Sequence, residues 1–476
     1  MSDRGPKNWR PGRRPSDRAR RLAFEVLCSV EADGAFANLV LPKRLSAAHF
    51  NKPDASFATN ICYGTLRLQG RWDAIISLCT QGRNAADLDL PVKILLRMGA
   101  HQLLELNTPA HAAIFETVSL ARNTVGTGAS GFVNAVLRRI SERTLRQWRE
   151  ALRDVCGGGK YNSVDFLAAW FSHPQWIVRA YAEALGANGR EKKDLLKVLA
   201  ANNEAPEVAL AAREISVEEL QADIARGKMH SEKGRLVDSA VILKDGDPHR
   251  IFAVRDRLAG VQDEGSQLVA QITAHAPIAG NDGMWLDMCA GPGGKTALLA
   301  AAAGKRGAHI YANELHAHRL SLVESAVSPR SADVSLRNGD GRDIGEEEPE
   351  RYDRILIDAP CTGIGSLRRR PESRWRKNAA DALNLAKVQG ELLDSGMQAL
   401  RVGGLLVYST CSPYLRETHE VVRSFLARHP EAELRDIVKT ASALSQVTFP
   451  EGRKTLQLWP DTDASDAMFV AGFTKK

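Results

Sequence analysis

The sequence predicts a multidomain chain in which an all-α N-terminal domain precedes an α/β domain built on a mainly parallel, doubly wound sheet. Three observations predict it. Apolar residues recur at helical spacing from Arg18 to about Ile140, and no alternating strand pattern of any length interrupts them. A short apolar strand, Met284–Met288, runs into a glycine-rich turn and a helix, and strands alternate with helices from there to Phe473. At 476 residues the chain is also too long for one ordinary core.

Residues 1–16 mix Pro, Gly and Arg and read as a basic tail that orders only on meeting a partner. Residues 17–145 read as the helical domain. Leu22, Phe24, Val26 and Leu27 open its first amphipathic segment, and Ile61, Leu66, Trp72, Ile75 and Ile76 mark others. Val92, Ile94, Leu95, Leu96 and Met98 follow, then Ile114, Val118 and Leu120, then Phe132, Val133, Val136 and Leu137. Arg138 and Arg139 sit at the end of this last segment, where cations suit a helix C-terminus or an RNA phosphate. The Gly157-Gly158-Gly159 run predicts a break. Residues 146–260 read as linker helices and a small α/β domain, with short apolar runs around Val208, Leu210, Val237 and Ile242.

The catalytic domain is expected over 261–476. After the strand at Met284–Met288 comes Cys289-Ala290-Gly291-Pro292-Gly293-Gly294-Lys295-Thr296. Glycines there let the backbone approach a nucleoside cofactor without a side-chain clash, and the next helix begins beneath it. The spacing from Gly291 to Gly294-Lys295-Thr296 is too short for a triphosphate-wrapping loop, and the turn is not the dinucleotide GxGxxG. A second strand, Ala308–Ala312, ends at Glu314, placed to accept both ribose hydroxyls of such a cofactor, and Arg319 follows on the next segment. A third, Val334–Leu336, leads to Asp340, near an adenine edge. Arg354–Asp358 is the fourth and Leu405–Thr410 the fifth, joined by a crossover helix over 379–401; a helix over 416–426 and a last strand near Phe473 complete the sheet.

Composition excludes several classes. Apolar residues make up 44% and charged residues 25%, as in a folded globular chain, no stretch approaches a transmembrane length, and the expected place is the cytoplasm. Seven cysteines form no CxxC pair, so neither a disulfide framework nor a metal site is expected. Net charge is +7 but uneven: eight Lys/Arg against two Asp in the first 21 residues, including Arg13 and Arg14, and six Lys/Arg against Glu372 alone from Arg368 to Lys377. Arg368, Arg369 and Arg370 therefore join Arg13, Arg14, Arg138 and Arg139 as candidates for a phosphate backbone. Two cysteines stand apart from the rest. Cys361 closes Asp358-Ala359-Pro360-Cys361 and Cys411 lies in Tyr408-Ser409-Thr410-Cys411-Ser412, each just past a strand, where a thiol can reach a substrate crevice.

These segments carry a resemblance. Asp287–Thr296, Asp358–Cys361 and Tyr408–Ser412, in that order, resemble the signature motifs of the NOL/NOP/Sun family of RNA cytosine-5 methyltransferases, and Val261–Gln267 resembles the segment preceding that family's Rossmann-like core. The helical part, above all Phe132–Ile140, resembles the NusB-like RNA-binding domain of the bacterial RsmB/Sun branch, which methylates a cytosine of 16S ribosomal RNA. Two departures are visible: Asn203–Arg213 lacks the family's proline pair and Arg-Val-Asn, and Asp466-Ala467-Met468-Phe469 stands where Asp-Gly-Phe-Phe is usual.

The resemblance implies a monomeric enzyme that binds S-adenosylmethionine on a mainly parallel seven-stranded, Rossmann-like sheet, using Cys289, Ala290, Gly291, Pro292, Gly293, Gly294, Lys295, Glu314, Arg319, Asp340 and Asp358. It implies Cys411 as the attacking thiolate, Cys361 in release, and Asp358 bonded to cytosine N3 and its amine, with Lys295 positioning the base or lowering a thiol pKa. Because the base must leave its stack, single-stranded or loop RNA is favoured. Transfer to tRNA or another RNA is an alternative within the same chemistry. An N-methyltransferase would want an aromatic where Cys361 stands, and an RNA-binding assembly factor would not require the two thiols.

Overall fold

The computed structural model describes residues 17–476 apart from Gln81, Asn107 and Ala332; Arg13 and Arg14 lie outside the described residues. Two compact units divide the chain. One runs to Gln175 and takes in Arg370–Glu372, and the other comprises Trp176–Arg369 and Ser373–Lys476. Among the described residues no helix is long and apolar enough to cross a membrane, and no group of three or more His, Cys, Asp and Glu side chains could hold a metal ion.

The first unit is helical. Its helices are Arg18–Ala32, Ala37–Ala48, Lys52–Arg67, Gln69–Cys79, Leu90–Leu104, Ala110–Thr124, Thr127–Ser141, Leu145–Gly157 and Val164–Phe171. The apolar spacing read in the sequence is the spacing that is buried: Val26 and Leu27, Ile61, Trp72, Ile75 and Ile76, Leu95 and Leu96, and Val133, Val136, Leu137 and Ile140. Gly99 lets two helices close up, since a Cβ there would lie 2.5 Å from Leu137 Cδ2. The Leu145–Gly157 helix opens with a capping box between Thr144 and Gln147 and ends at Gly158, whose φ of 55° is left-handed.

Arg97 is the polar tie of this bundle. Its guanidinium donates to both Asp73 oxygens at 2.7 Å and to Glu31 Oε2 at 2.6 Å, joining three helices.

In the second unit, helices Gln175–Ala187 and Asp194–Ala201 precede a small antiparallel sheet of β1 (Val208–Ala212), β2 (Ser231–Lys233), β3 (Ala240–Leu243) and β4 (Ala259–Val261), in the order β2-β3-β1-β4. The helix Glu264–His275 leads from it into the main sheet. That sheet comprises β5 (Met284–Asp287), β6 (His309–Glu314), β7 (Val334–Asn338), β8 (Tyr352–Asp358), β9 (Leu400–Thr410), β10 (Ala432–Arg435), β11 (Leu456–Gln457) and β12 (Phe469–Lys475). The order is β10-β12-β9-β8-β5-β6-β7, with the two-residue β11 on β12. Pairs from β9 through β7 are parallel, while β12 runs antiparallel to β9 and β10 to β12.

Both sheet faces are covered, which explains why its strands are continuous apolar runs. Leu356, Leu405 and Val407 belong to one core with Leu268, Ile272, Leu298 and Leu299. Their alternating neighbours Ile355, Ile357, Leu406 and Tyr408 belong to another, with Leu393 and Met397 of the helix Ala379–Ala399 and Val422 and Phe425 of the helix His419–Arg428. The mainly parallel sheet expected from the sequence is present, and several boundaries differ. β9 begins at Leu400 rather than Leu405, and the helix expected over 416–426 is a 3-10 turn, Leu415–Glu417, followed by His419–Arg428. Thr418, at φ −128° and ψ −98°, separates the two pieces.

From β5 the chain steps outward to β6 and β7, then returns to β8 on the other side of β5. The strand order therefore reverses between β5 and β8, and a crevice opens beyond their carboxyl ends.

Replacing Arg97 with methionine leaves Asp73 without its bidentate partner, whereas Glu31 keeps Lys93 at 3.1 Å. Because both carboxylates are partly exposed, the expected loss of stability is about 2–3 kcal/mol, measured as a lowered denaturant midpoint.

Candidate active site

β5 ends at Asp287, a buried carboxylate whose Oδ2 accepts from Thr296 Oγ1 at 2.7 Å on the following helix, Gly294–Gly304. Between strand and helix the chain turns sharply. Gly293, at φ 101°, caps the helix, and a Cβ there would come within 2.7 Å of Val323 Cα. Gly291 is equally constrained, since a Cβ would lie 2.2 Å from Glu314 Oε2. Asn313, near the end of β6, donates to Met288 O at 3.0 Å and Gly339 O at 3.1 Å, tying together the loops that follow β5 and β7.

The turn borders a cavity of about 220 Å³. Cys289, Ala290, Gly291, Pro292, Gly294, Lys295 and Asp358, all expected from the sequence, line it together with Gln262, Asp263, Asp287 and Asp466. The other expected cofactor residues are not in the lining. Gly293 caps the helix, Glu314 accepts from the Gly291 and His316 amides at 3.1 and 3.0 Å, and Arg319 donates to Gly291 O at 2.5 Å and pairs with Glu314 at 3.5 Å. Asp340 is turned onto Arg342, 2.6 Å away, which holds its carboxyl below the usual range. Asp287 belongs to the sequence motif but lies outside the residues expected there to bind the cofactor. Its signal was there, an acid closing the strand before the glycine turn.

β8 and β9 pair in parallel with Asp358 opposite Ser409. Ser409 Oγ donates to Asp358 Oδ1 at 2.9 Å, and Lys295 Nζ donates to Asp358 Oδ2 at 2.7 Å, so both oxygens of that carboxylate are held. Burial works against the Lys295 charge, but Asp358, and after it Cys411 and Asp287, hold its pKa above the usual ammonium value. Beyond this last pair of the ladder stand the two thiols, Cys361 three residues after Asp358 and Cys411 two after Ser409. Cys361 Sγ and Cys411 Sγ are 3.3 Å apart. Contact with Cys411 and burial push the Cys361 thiol well up, with further contributions from the charges of Cys411 and Glu417. Cys289 is pushed up as well, by burial and then by the carboxylates of Asp287, Asp358 and Glu314. It therefore stays a thiol, unsuited to attack.

The arginines expected to face RNA divide. Arg368 is buried and donates to Ala464 O at 2.9 Å; Arg369 pairs with Asp263 and, at 3.2 Å, with Asp466. Arg369 is spent on this buried acidic pair and Arg368 is buried beside it on the Ala464 carbonyl, so the expectation of RNA contact is not carried forward for them. Asp466 is itself pushed up to about 6, first by burial and then by Asp263. Arg370 is exposed, with its guanidinium 5.6 Å from the Phe36 ring in the first unit. Arg138 is exposed, and Arg139 donates to Cys79 O at 2.8 Å.

The cavity suits S-adenosylmethionine. Glycine backbone lines it beside the Asp287 carboxyl, and Gln262 Oε1 is a buried acceptor without a hydrogen-bond partner among the described residues.

Burial, against the Thr296 hydrogen bond and with the nearby Asp358 charge, pushes the Asp287 carboxyl up to about 7. Between its unfolded value near 4 and about 7, the folded chain holds a proton that the unfolded chain has released, so this group's contribution to stability falls as pH rises through that window. Asp287→Asn has no such titration. Its melting temperature relative to the parent, both without cofactor, is expected to rise from pH 5 to pH 8.

Residues 276–474 match the family described as 16S rRNA methyltransferase RsmB/F, and residues 17–142 match the NusB family. A putative methyltransferase of Mycobacterium tuberculosis is 43% identical over 473 residues, covering 99% of each chain. Ribosomal RNA small subunit methyltransferase B of Pseudomonas putida is 34% identical over 443 residues, covering 92% of this chain and 94% of its own length. Among solved structures, that of PH0851 superposes with a TM-score of 0.78 at 21% identity, covering 97% of this chain and 100% of that one, and supports the fold. With relatives 43% and 34% identical over nearly the whole chain, on both sides of the Gln175 boundary, the chain belongs to the RsmB/F family and is an S-adenosylmethionine-dependent methyltransferase with an N-terminal domain of the NusB family.

Proposed function

We propose that the chain methylates carbon 5 of a cytosine in 16S ribosomal RNA through a transient bond between Cys411 and carbon 6 of the base. The observation that carries this reading is the 3.3 Å thiol pair set beside the Lys295–Asp358 pair at the cofactor cavity. Carbon 5 of cytosine is a weak nucleophile until a thiolate at carbon 6 turns the ring into an enamine. An N-methyltransferase has no use for two thiols in contact. Membership of the 16S rRNA methyltransferase family and the likeness to small-subunit methyltransferase B support the small-subunit RNA as the target.

The cofactor supplies one thing, a methyl group made electrophilic by its sulfonium; the chain's own residues do the rest. Cys411 adds to carbon 6 as the thiolate, while Cys361 keeps its proton and donates it as a hydrogen bond to the Cys411 sulfur. Asp358, fixed by Ser409 and Lys295, accepts from the cytosine amine and passes to N3 the proton that Cys411 gives up, taking it back on release, so that the charge the addition pushes into the ring is neutralised. Once carbon 5 is methylated, loss of its proton to a base restores the ring double bond and returns the C–S bonding pair to Cys411. Cys361 eases that departure. In the same reading residues 17–145 are the RNA-binding module, 146–260 the linker and 261–476 the catalytic domain, and Arg13, Arg14, Arg138 and Arg370 meet phosphates. Arg139, which donates one N–H to Cys79 O, joins them through the rest of its guanidinium.

Cys411→Ala is expected to abolish methyl transfer, and Cys361→Ala to accumulate protein bound covalently to RNA, seen as a band of reduced mobility on a denaturing gel with radiolabelled RNA. A trapped adduct in the Cys411 variant alone would reverse the two roles.

Bisulfite sequencing of ribosomal RNA from cells with and without the gene is expected to show one cytosine-5 mark missing from the small-subunit RNA. An intact 16S pattern with a mark lost from tRNA would move the target to that RNA.

A further inference from the structure

Behind the two thiols lies a carboxylate that the chemistry above does not use. Glu417 ends the 3-10 turn Leu415–Glu417 and is fully buried. Its Oε1 accepts from the Thr362 amide at 2.7 Å, and its Oε2 accepts from the Thr362 hydroxyl at 2.5 Å and the Ser412 hydroxyl at 2.6 Å. Ser412 Oγ in turn accepts from the Tyr414 amide at 3.2 Å, which leaves its own proton free for Glu417. Thr362 follows Cys361 in the chain, and Ser412 follows Cys411. One carboxylate thus grips the residue after each thiol. Gln389, fully buried on the crossover helix, donates to Pro360 O at 2.8 Å on the other side of Cys361 and lies 3.5 Å from Glu417 Oε1. The Glu417 carbonyl is anchored as well, accepting from the buried Tyr408 hydroxyl at 2.7 Å.

We infer that Glu417 is the positioning residue of the reaction: its buried carboxylate joins the two cysteine loops, sets the separation of their sulfurs, and keeps Cys361 as the proton-bearing partner of Cys411. This rests on the covalent reading given above and deepens it. A buried carboxylate with so many donors is worth its desolvation only if the groups it joins must be held in one geometry. Burial pushes Glu417 up, while Ser412, Thr362 and Gln389 oppose that rise. Its anion adds to the forces that raise Cys361, after contact with Cys411 and burial. The cation Lys295 takes the opposite part, since Cys411 is among the groups that raise it. Glu417 thus stands behind Cys361, while Lys295 lies on the Cys411 side. The other titratable groups coupled to Glu417 are Tyr408 and Tyr414, both raised by burial and neutral through the working range.

The test compares the full-length parent with Glu417→Gln, using small-subunit ribosomal RNA from cells lacking the gene and radiolabelled S-adenosylmethionine. Glu417→Gln is expected to lower kcat roughly 10- to 100-fold, with KM for RNA and Kd for S-adenosylhomocysteine within about twofold of the parent. Removing the anion lowers the Cys361 pKa, so the alkaline limb of the kcat–pH profile is expected to move to lower pH. Thr362→Val and Ser412→Ala, each deleting one donor, are expected to lower kcat by smaller factors. A Glu417→Gln kcat within twofold of the parent, or a loss confined to KM or cofactor affinity with the alkaline limb unmoved, overturns the inference. Should Glu417→Gln fail to bind S-adenosylhomocysteine, the two hydroxyl variants decide, and kcat within twofold of the parent in both overturns it. A parent enzyme that transfers methyl groups while its Cys361→Ala form traps no RNA sinks the covalent reading itself. A trapped adduct together with an unaffected Glu417→Gln sinks this inference alone.

Discussion

The parallel pairing of β8 with β9 is the constraint on which the site depends. With Asp358 opposite Ser409, each strand delivers its last residues to the same end of the sheet, and the chain beyond each carries a cysteine. A slip of one residue would turn Asp358 and Ser409 to opposite faces and separate the sulfurs. The register is held from below by side chains alternating between two cores. Ile355 and Ile357 share one with Leu406 and Tyr408, and Leu356 shares the other with Leu405 and Val407. Hydrophobic burial far from the chemistry thus sets a sulfur–sulfur distance.

Charge is distributed around that geometry with a clear division. The cofactor side is rich in carboxylates, Asp263, Asp287 and Asp466, and burial raises at least two of them toward neutrality rather than leaving three anions face to face. Arg368 and Arg369 compensate Asp263 and Asp466 at the edge of the same cavity. On the thiol side, Lys295 is committed to Asp358 and lies near Cys411, whereas Glu417 stands behind Cys361. Two cysteines of identical intrinsic chemistry are thereby set to different tasks by what surrounds them.

Much of this was legible in the residues. The helical periodicity of the N-terminal part is the pattern of its burial, from Val26 to Ile140, because a helix of constant pitch repeats its inward face at fixed spacing. The glycine turn after β5 was legible for a similar reason: Gly291 and Gly293 stand where any Cβ would strike Glu314 or Val323. The start of β9 was not, since Leu400 joins the sheet only through its pairing with Tyr352 of β8, and Arg401–Gly404 bulge from the ladder, with Gly403 at φ 76°, before Leu405 resumes it opposite Arg354. Arg368 and Arg369 misled for the same kind of reason. A basic run reads as a surface, and nothing local reveals that Asp263 and Asp466, about 100 residues away on either side, will neutralise it.

The sequence by itself determined which reacting groups exist and that they close strands: an acid before a glycine turn, and a thiol after each of two apolar runs. Those are matters of covalent order and local steric preference, and they survive in any fold that keeps the segments as strands and turns. Only the tertiary structure decided that the two thiols touch across 50 residues, that Lys295 reaches Asp358 across 63, and that Glu417 holds Thr362 across 55. Those meetings require loop closure over long stretches of chain, at an entropic cost that only the assembled sheet and its two cores offset.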